Sequence, residues 1–222
     1  MRKTFHEQLN EITEDVISMG SLAQQSVHDS IEALVEMNSE LAEKIIDGDR
    51  KIDDYDISIE EKCVILQAEY QPVAKDLRLL HSISIIIIHI ERIGDLAVNI
   101  AKVVKRFAKG KIIKIEMDII ELLVEMGNLV KLELTKALTS FKNKDAKLAA
   151  KLDKIDNAVD DIQKEVFKKL YSKAKYAEDN KFIANVSLAS RYLERIGDQS
   201  VNIGERVIFF LTGDYKIFHK DT

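Results

Sequence analysis

Apolar residues recur every three or four positions along almost the whole chain. The first such series is Phe5, Leu9, Ile12, Val16 and Met19, and the same spacing continues toward the C-terminus. This spacing places the apolar side chains on one face of an α-helix. It predicts an all-α protein with six long helices, at residues 5–46, 49–69, 73–109, 113–142, 145–172 and 179–211.

Short polar segments separate the predicted helices. Asp49, in the sequence DGD, is expected to cap the second helix with its side chain. Pro72 suits the first turn of the third helix, where a missing N–H leaves no bond unmade. Gly110 is the type of residue that ends many helices, and it marks the predicted end of the third.

The second half of the chain repeats the first. MGSLAQQ at residue 19 is echoed by MGNLVKL at 126, and DRKIDD at 49 by DNAVDD at 156, so both echoes lie 107 positions apart. HIERIGDLAVNIAK at 89–102 returns as YLERIGDQSVNIGE at 192–205. A tandem duplication explains these echoes. It predicts two structurally similar three-helix bundles, at residues 1–109 and 110–222.

Composition narrows the class of protein. The 222 residues include one cysteine, Cys63, so an intramolecular disulfide and a cysteine-rich metal site are excluded. A net charge of −5 argues against non-specific nucleic-acid binding, which requires a basic surface. The N-terminus lacks an apolar signal segment, and the most apolar run, ISIIIIHI at 83–90, is shorter than the ~20 residues that span a bilayer. We therefore expect a cytoplasmic protein that does not insert into a membrane.

The repeated segments place acidic side chains on one face of a helix. At 100° per residue, Glu91, Asp95 and Asn99 lie on one side of the third helix, opposite its apolar residues. The equivalent residues of the sixth helix are Glu194, Asp198 and Asn202. A duplication kept only for packing would leave this outer face free to drift, yet it is repeated almost unchanged. The repeat favours two copies of a functional site; the alternative is an ordinary solvated helix face.

The neighbouring helix of each half carries a matching acidic pair. If the second and third helices form an antiparallel hairpin that turns at residue 72, Asp49 lies level with Asp95 and Asp53 with Glu91. A turn at residue 177 places two pairs level in the second half: Asp156 with Asp198, and Asp160 with Glu194. Each bundle is therefore expected to gather four carboxylates, joined by the asparagine one turn further on.

These predicted clusters have the chemistry of a metal site. Oxygen ligands suit hard cations such as Mg²⁺, Mn²⁺ and Ca²⁺, and also iron. Without a cation, adjacent carboxylates repel one another or raise one another's pKa. The predicted metal ligands are Asp49, Asp53, Glu91, Asp95 and Asn99 in the first bundle, and Asp156, Asp160, Glu194, Asp198 and Asn202 in the second.

The remaining residues indicate little further chemistry. None of the five histidines lies three residues after a glutamate, so the Glu-x-x-His pairs of ferritin-like di-iron bundles are absent. His89 is expected to pack beside the apolar face, whereas His81 lies on the acidic side and suggests phosphotransfer or metal binding as a further hypothesis. Gly94 and Gly197 sit in mid-helix, where glycine costs up to ~1 kcal/mol, and close helix approach would explain them.

Three segments resemble the signatures of the PhoU family, the phosphate-transport regulatory proteins. They are YQPVAKDLR at 70–78, ERIGDLAVNIA at 91–101 and RYLERIGDQSVNI at 191–203. Their order and duplication extend the resemblance over nearly the whole chain. The resemblance implies two PhoU-type three-helix bundles, often assembled as a homodimer.

The resemblance also implies a function and a metal. PhoU-type proteins are negative regulators that link the ATPase of the high-affinity phosphate ABC transporter to a sensor histidine kinase, at the cytoplasmic face of the membrane, and they are not enzymes. Members can bind iron, zinc, Mg²⁺ or Mn²⁺ through E/DxxxD motifs, which match the eight carboxylates predicted above. A histidine often follows the aspartate of the second motif, whereas this chain has Gln199.

Two other functions stay open at the level of the sequence. All-α nucleotide pyrophosphohydrolases also bind Mg²⁺ through carboxylates on bundled helices. Their motif ends in ExxD, whereas this chain has ExxxD twice. A metal-free helical scaffold would keep both bundles and use the acidic faces to bind a basic partner.

Overall fold

A computed structural model of the chain describes residues 2–108, 117–173 and 179–214. These residues form eight helices and no strand: α1 (Arg2–Glu36), α2 (Ser39–Gly48), α3 (Arg50–Tyr70), α4 (Ala74–Ala108), α5 (Met117–Asn143), α6 (Ala146–Ala149), α7 (Leu152–Lys173) and α8 (Asp179–Thr212). The six long helices pack as one bundle of α1, α3 and α4 and a second bundle of α5, α7 and α8. The predicted all-α fold of two similar three-helix bundles is confirmed.

Two of the predicted helices are each divided in two. The apolar spacing predicts one helix over 5–46, but the chain turns at Met37, where φ is +53°. Asn38 then caps α2 by accepting a hydrogen bond from the Leu41 N–H at 3.0 Å. At the first break, a short polar side chain that bonds to the backbone therefore overrides an uninterrupted apolar spacing. The second break divides the predicted helix 145–172 between Ala149 and Leu152, where the Ala150 N–H donates to the Ala146 carbonyl.

The predicted starts of the second and third long helices lie within one residue of the observed ones, but the expected roles of Asp49 and Pro72 at those starts are wrong. Asp49 occupies the N-cap position of α3, but its side chain makes no capping hydrogen bond and lies against α4 instead. Pro72 lies two residues before the start of α4 rather than in its first turn, in a turn where Gln71 and Ala74 both have φ of +47°. The predicted boundary between the bundles, at Gly110, lies outside the described residues.

Helix α4 is the most central element of the first bundle. It buries Ile83, Ile86, Ile87 and Ile90 almost completely, because α1, α3 and α8 all pack against it. Packing on several sides explains why this segment is more apolar than an ordinary amphipathic helix. Across the described ranges, no helix has an apolar stretch long enough to cross a membrane.

The two bundles pack through two helix pairs, α1 with α5 and α4 with α8. In the α1–α5 pair, a Cβ atom on Gly20 would lie 2.7 Å from the Leu138 side chain, and one on Gly127 would lie 3.0 Å from Ile31. Both glycines belong to the repeated MG segments, so this repeat permits close helix approach. Because Gly20 corresponds to Gly127 and Ile31 to Leu138, the pair is antiparallel with approximate two-fold symmetry.

The α4–α8 pair is also antiparallel. Phe107 near the end of α4 contacts Phe182 near the start of α8, with ring centroids 6.0 Å apart. Further along, His89 Nδ1 lies 2.8 Å from Gln199 Oε1. These two contacts fix the register of the pair. The two ERIGD segments therefore lie at about the same height along it.

Candidate metal centres

The first candidate site lies where α3 approaches α4. A Cβ atom built on Gly94 of α4 would lie 3.1 Å from Asp49 Oδ1 and 2.9 Å from Ile52 Cδ1. Because glycine has no side chain here, the Asp49 carboxylate can lie against the backbone of α4. The contact agrees with the register expected for the hairpin, in which Asp49 is level with Asp95.

The Asp49 carboxyl group is half-buried among other acids. Its pKa is raised from the ordinary 3.8 to about 6, first by burial and then by the negative charges of Asp53 and Asp95. The positive charge of Lys102 acts in the opposite direction and offsets only part of this. Ionised Asp49 is therefore costly in the folded chain, and an added cation would relieve that cost.

Glu91 belongs to the same electrostatic cluster. Burial raises its pKa first, followed by the charges of Asp95, Asp56 and Asp53. Each predicted carboxylate of the first bundle thus interacts with at least one other across the α3–α4 contact. Asp53 and Asp95 are exposed, whereas Glu91 is half-buried like Asp49.

Asp56 is a member of the first cluster that the sequence pattern did not predict. Its pKa is raised by burial first, then by the charges of Glu60 and Asp53. One of its oxygens, Oδ1, is buried and has no hydrogen-bond partner among the described residues. Asp56 follows Asp53 by three residues, so a search for acids at i+3 as well as i+4 finds it. The predicted amide ligand Asn99 is half-buried on α4, one turn beyond Asp95.

The second candidate site is more deeply buried than the first. A Cβ atom built on Gly197 of α8 would lie 2.9 Å from Glu133 Oε2 and 3.4 Å from Asp156 Oδ1. Asp156 is 3% exposed, and Glu133 of α5 is fully buried. The expectation that the acidic face points toward solvent is therefore wrong for Asp156. The physical reason is that α5 packs over this part of α7.

Glu133 was not predicted, although the sequence contains a signal for it. It falls on the buried stripe of α5, between Val130 and Ala137, where the helical spacing calls for an apolar residue. Glutamate is seldom found at such a depth, because burying a carboxylate is costly. At the corresponding position of the first bundle, 107 residues earlier, the chain has Ser26. The two bundles therefore differ in their number of buried carboxyl groups.

The other predicted ligands of the second bundle lie on the same two helices. Asp160 is half-buried one turn beyond Asp156 on α7. Three further residues occupy successive turns of α8 and are also half-buried: Glu194, Asp198 and Asn202. The structure thus places all the predicted residues on the facing helices of each bundle, while their role as metal ligands stays a prediction.

The residues present at both sites fit a hard cation. Their donors are carboxylate and amide oxygens, the ligands that Mg²⁺, Mn²⁺ and iron accept. In the first cluster, the raised pKa values and the buried Oδ1 of Asp56 mark a place where positive charge would be favourable. At each site a glycine, which has no side chain, lets a carboxylate oxygen lie close to the neighbouring helix.

A separate group of possible ligands lies on α1. Ligand atoms of His28, Asp29 and Glu32 lie within 4.8 Å of one another, and no three of the predicted carboxylates meet that criterion in the described ranges. Ordinary pairing along a helix accounts for this group, since His28 Nε2 lies 3.6 Å from Glu32 Oε2 and Gln25 donates to Asp29 at 2.7 Å. We assign it no role.

Gln199 contacts the other bundle. Its partner across the α4–α8 interface is His89, which is half-buried and whose pKa is lowered, chiefly by burial. This agrees with the expectation of a packed rather than a metal-binding His89. His81, the other histidine considered from the sequence, is exposed on α4.

The fold and the sites define an all-α protein of two tandem three-helix bundles, each with carboxyl groups gathered between its second and third long helices. A family model described as the PhoU domain matches residues 16–104 and 123–207, one match in each bundle. The chain belongs to the PhoU family, as the sequence resemblance implies.

Known relatives align with nearly the whole chain. The phosphate-specific transport system accessory protein PhoU homolog of Clostridium acetobutylicum is 35% identical over 218 residues, which covers 96% of both chains. The phosphate-specific transport system accessory protein PhoU of Escherichia coli is 32% identical over 212 residues, 94% of this chain and 86% of the other. The crystal structure of PhoU from Pseudomonas aeruginosa has a TM-score of 0.89 and 32% identity, over 95% of this chain and 100% of that one.

Proposed function

We propose that this protein is a regulatory accessory protein of a phosphate-specific ABC transporter. The observation that carries the proposal is the alignment of both bundles with proteins named as phosphate-specific transport system accessory proteins, at 32% and 35% identity. The alignment spans the helices that bear both acidic clusters. The shared feature is thus the whole architecture and not a single motif.

In this role the protein acts by contact and not by catalysis. When phosphate is plentiful, it contacts the transporter ATPase and a sensor histidine kinase at the cytoplasmic face of the membrane and keeps phosphate-starvation genes switched off. It does so as a homodimer. The resemblance supports these partners, and the long helices support a contact role because α4, with 35 residues, extends over roughly 50 Å.

The proposal includes a cation at each bundle, of magnesium, manganese, zinc or iron. Asp49, Asp53, Glu91 and Asp95 would hold it in the first bundle, with Asn99 and Asp56 beside them; Asp156, Asp160, Glu194, Asp198 and Asn202 would hold it in the second. A bound cation supplies positive charge to these carboxylates. Since the ligands come from two helices in each bundle, binding would fix the spacing of those helices.

Complementation tests the regulatory role. In a bacterium whose own PhoU protein has been deleted, we expect the full chain to restore repression of phosphate-starvation genes in high phosphate. Alkaline phosphatase activity is the readout, and the empty vector is the control. If the chain is expressed and folded but the genes stay on, the regulatory role is contradicted.

Affinity capture tests the partners. Tagged full-length protein, mixed with detergent-solubilised membranes of the same bacterium, is expected to retain the phosphate transporter ATPase and the sensor kinase. An unrelated helical bundle with the same tag controls for adsorption. Recovery of neither partner, with repression restored in the complementation experiment, would show that regulation runs through a different contact.

A further inference from the structure

The second bundle contains a pair of buried carboxyl groups that the first bundle lacks. Glu133 Oε2 and Asp156 Oδ1 lie 2.9 and 3.4 Å from one point, the position that a Cβ atom on Gly197 would occupy. Glu133 is fully buried, and Asp156 is 3% exposed. Three helices therefore surround this space, with α5 and α7 each supplying a carboxyl group and α8 supplying the glycine.

The corresponding space in the first bundle is built differently. Around the Cβ position of Gly94, one oxygen of Asp49 lies at 3.1 Å, but the other neighbour is the apolar side chain of Ile52. Helix α1 contributes Ser26 at the position that matches Glu133. The first space is thus bounded by one carboxylate and a methyl group, and the second by two carboxyl groups.

Two carboxyl groups at this depth favour a positive charge between them, because like charges repel strongly where solvent is excluded. A divalent cation suits the geometry, since oxygens from two helices converge beside Gly197, where any larger residue would crowd them. Asp156, one of the predicted ligands of the second bundle, already lines this space from α7.

We propose that Glu133 of α5 is a ligand of the second cation site, which makes the two sites of one chain unequal. The inference rests on the cation binding proposed above. The second site gains a buried carboxylate from a third helix, so it binds a cation of the Mg²⁺ or Mn²⁺ class more tightly than the first site does. The first site, whose acids include exposed Asp53 and Asp95, binds the same cation more weakly.

Equilibrium dialysis with Mn²⁺ tests the inequality on the full-length chain. After removal of metal by a chelator, the wild type is expected to show two classes of Mn²⁺ site, one of higher affinity and one of lower affinity. Glu133→Gln should lose about ten-fold or more in affinity in the tighter class alone. Asp95→Asn is the matched control and should weaken the other class.

The outcomes separate this inference from the proposal beneath it. If Glu133→Gln still has two classes of Mn²⁺ site with unchanged affinities, the role of Glu133 is overturned, whereas the proposal that both bundles bind a cation is not. Failure of the wild type to bind Mn²⁺ would overturn the cation part of the proposed function, and this inference with it. Loss of both classes in Glu133→Gln, together with lost helicity by circular dichroism, would show that Glu133 is a structural residue and also overturn the inference.

Anomalous diffraction from wild-type crystals soaked in Mn²⁺ gives a second test that requires no variant. We expect a peak beside Gly197, within ~2.0–2.6 Å of a Glu133 oxygen. A peak held by Asp198 or Glu194, with Glu133 out of reach, would overturn the inference. The inference would also be overturned if Mn²⁺ bound elsewhere on the bundle and the space beside Gly197 held no metal, with Glu133 and Asp156 sharing a proton.

Discussion

Replacing Asp49 with asparagine should stabilise the cation-free protein at neutral pH. The pKa of Asp49 in the folded chain is raised from 3.8 to about 6, by burial first and then by Asp53 and Asp95. A group with a raised folded-state pKa contributes stability below its unfolded pKa, and this contribution is lost as the pH rises through the folded value. The wild type should therefore lose stability as the pH rises from about 4 to about 6. Asparagine, which carries no charge, avoids that loss.

The magnitude follows from the same pKa. A difference of about two pH units would correspond to ~3 kcal/mol for a fully buried group, at ~1.4 kcal/mol per unit. Asp49 is half-buried, and solvent screening reduces the expected gain in unfolding free energy to ~1–2 kcal/mol. For a chain of this length, such a gain raises the melting temperature by roughly 2–8 °C.

Thermal melts followed by circular dichroism in the presence of a chelator measure this gain. We expect the full difference at about pH 7.5 and about a third of it at pH 4.5. Asp54→Asn is the control, because Asp54 is exposed on the side of α3 that faces α1. With Mn²⁺ added, the order should reverse, since only the wild type keeps the Asp49 ligand. A lower melting temperature of Asp49→Asn in chelator at pH 7.5 would refute the reasoning, because it would show a favourable partner for the charged group.

Three further predictions concern packing, the bundle interface and the thiol. A Cβ atom on Gly204 would lie 2.4 Å from a buried leucine methyl group, so Gly204→Ala should destabilise the protein by ~1–2 kcal/mol in urea unfolding, whereas Gly48→Ala, with open space around it, should stabilise it slightly. Gln199→Leu removes the hydrogen bond to His89 and should cost ~1 kcal/mol in the same assay; an unchanged midpoint would show that the bond contributes nothing. Cys63 is fully buried and burial raises its pKa to about 11, so a thiol reagent at pH 8 should modify it only as fast as the protein unfolds. Rapid labelling of the native protein would contradict that burial.

The positions of the first bundle's carboxylates along the two helices could be predicted, because an antiparallel hairpin leaves few choices of register. Once the turn was placed at residue 72, Asp49 had to lie near Asp95, and its contact with the space beside Gly94 follows from that geometry. The same reasoning could not give the depth of the site. Burial depends on which other helices pack over the hairpin, and those helices are distant in sequence.

Glu133 shows where sequence reasoning stopped. A helical wheel of α8 describes only the core of α8, so it cannot show that α5 brings a carboxyl group to Gly197. The break between α1 and α2 is a different kind of miss, because its cause is local. Asn38 carries the capping signal for Leu41, but uninterrupted apolar spacing on both sides concealed it.

The approximate two-fold symmetry of the α1–α5 pair bears on the ancestry of the chain. Two copies of a half-length protein would meet through an isologous interface, in which both halves must carry the same residue at every equivalent position. In the present chain Gly20 faces Leu138 while Gly127 faces Ile31, so two descendants of one ancestral contact have already diverged. Fusion of the halves removes the constraint that a substitution in one must appear in the other. Each half was then free to specialise, and a buried glutamate in only one of them is a difference that no symmetric dimer of half-chains could encode.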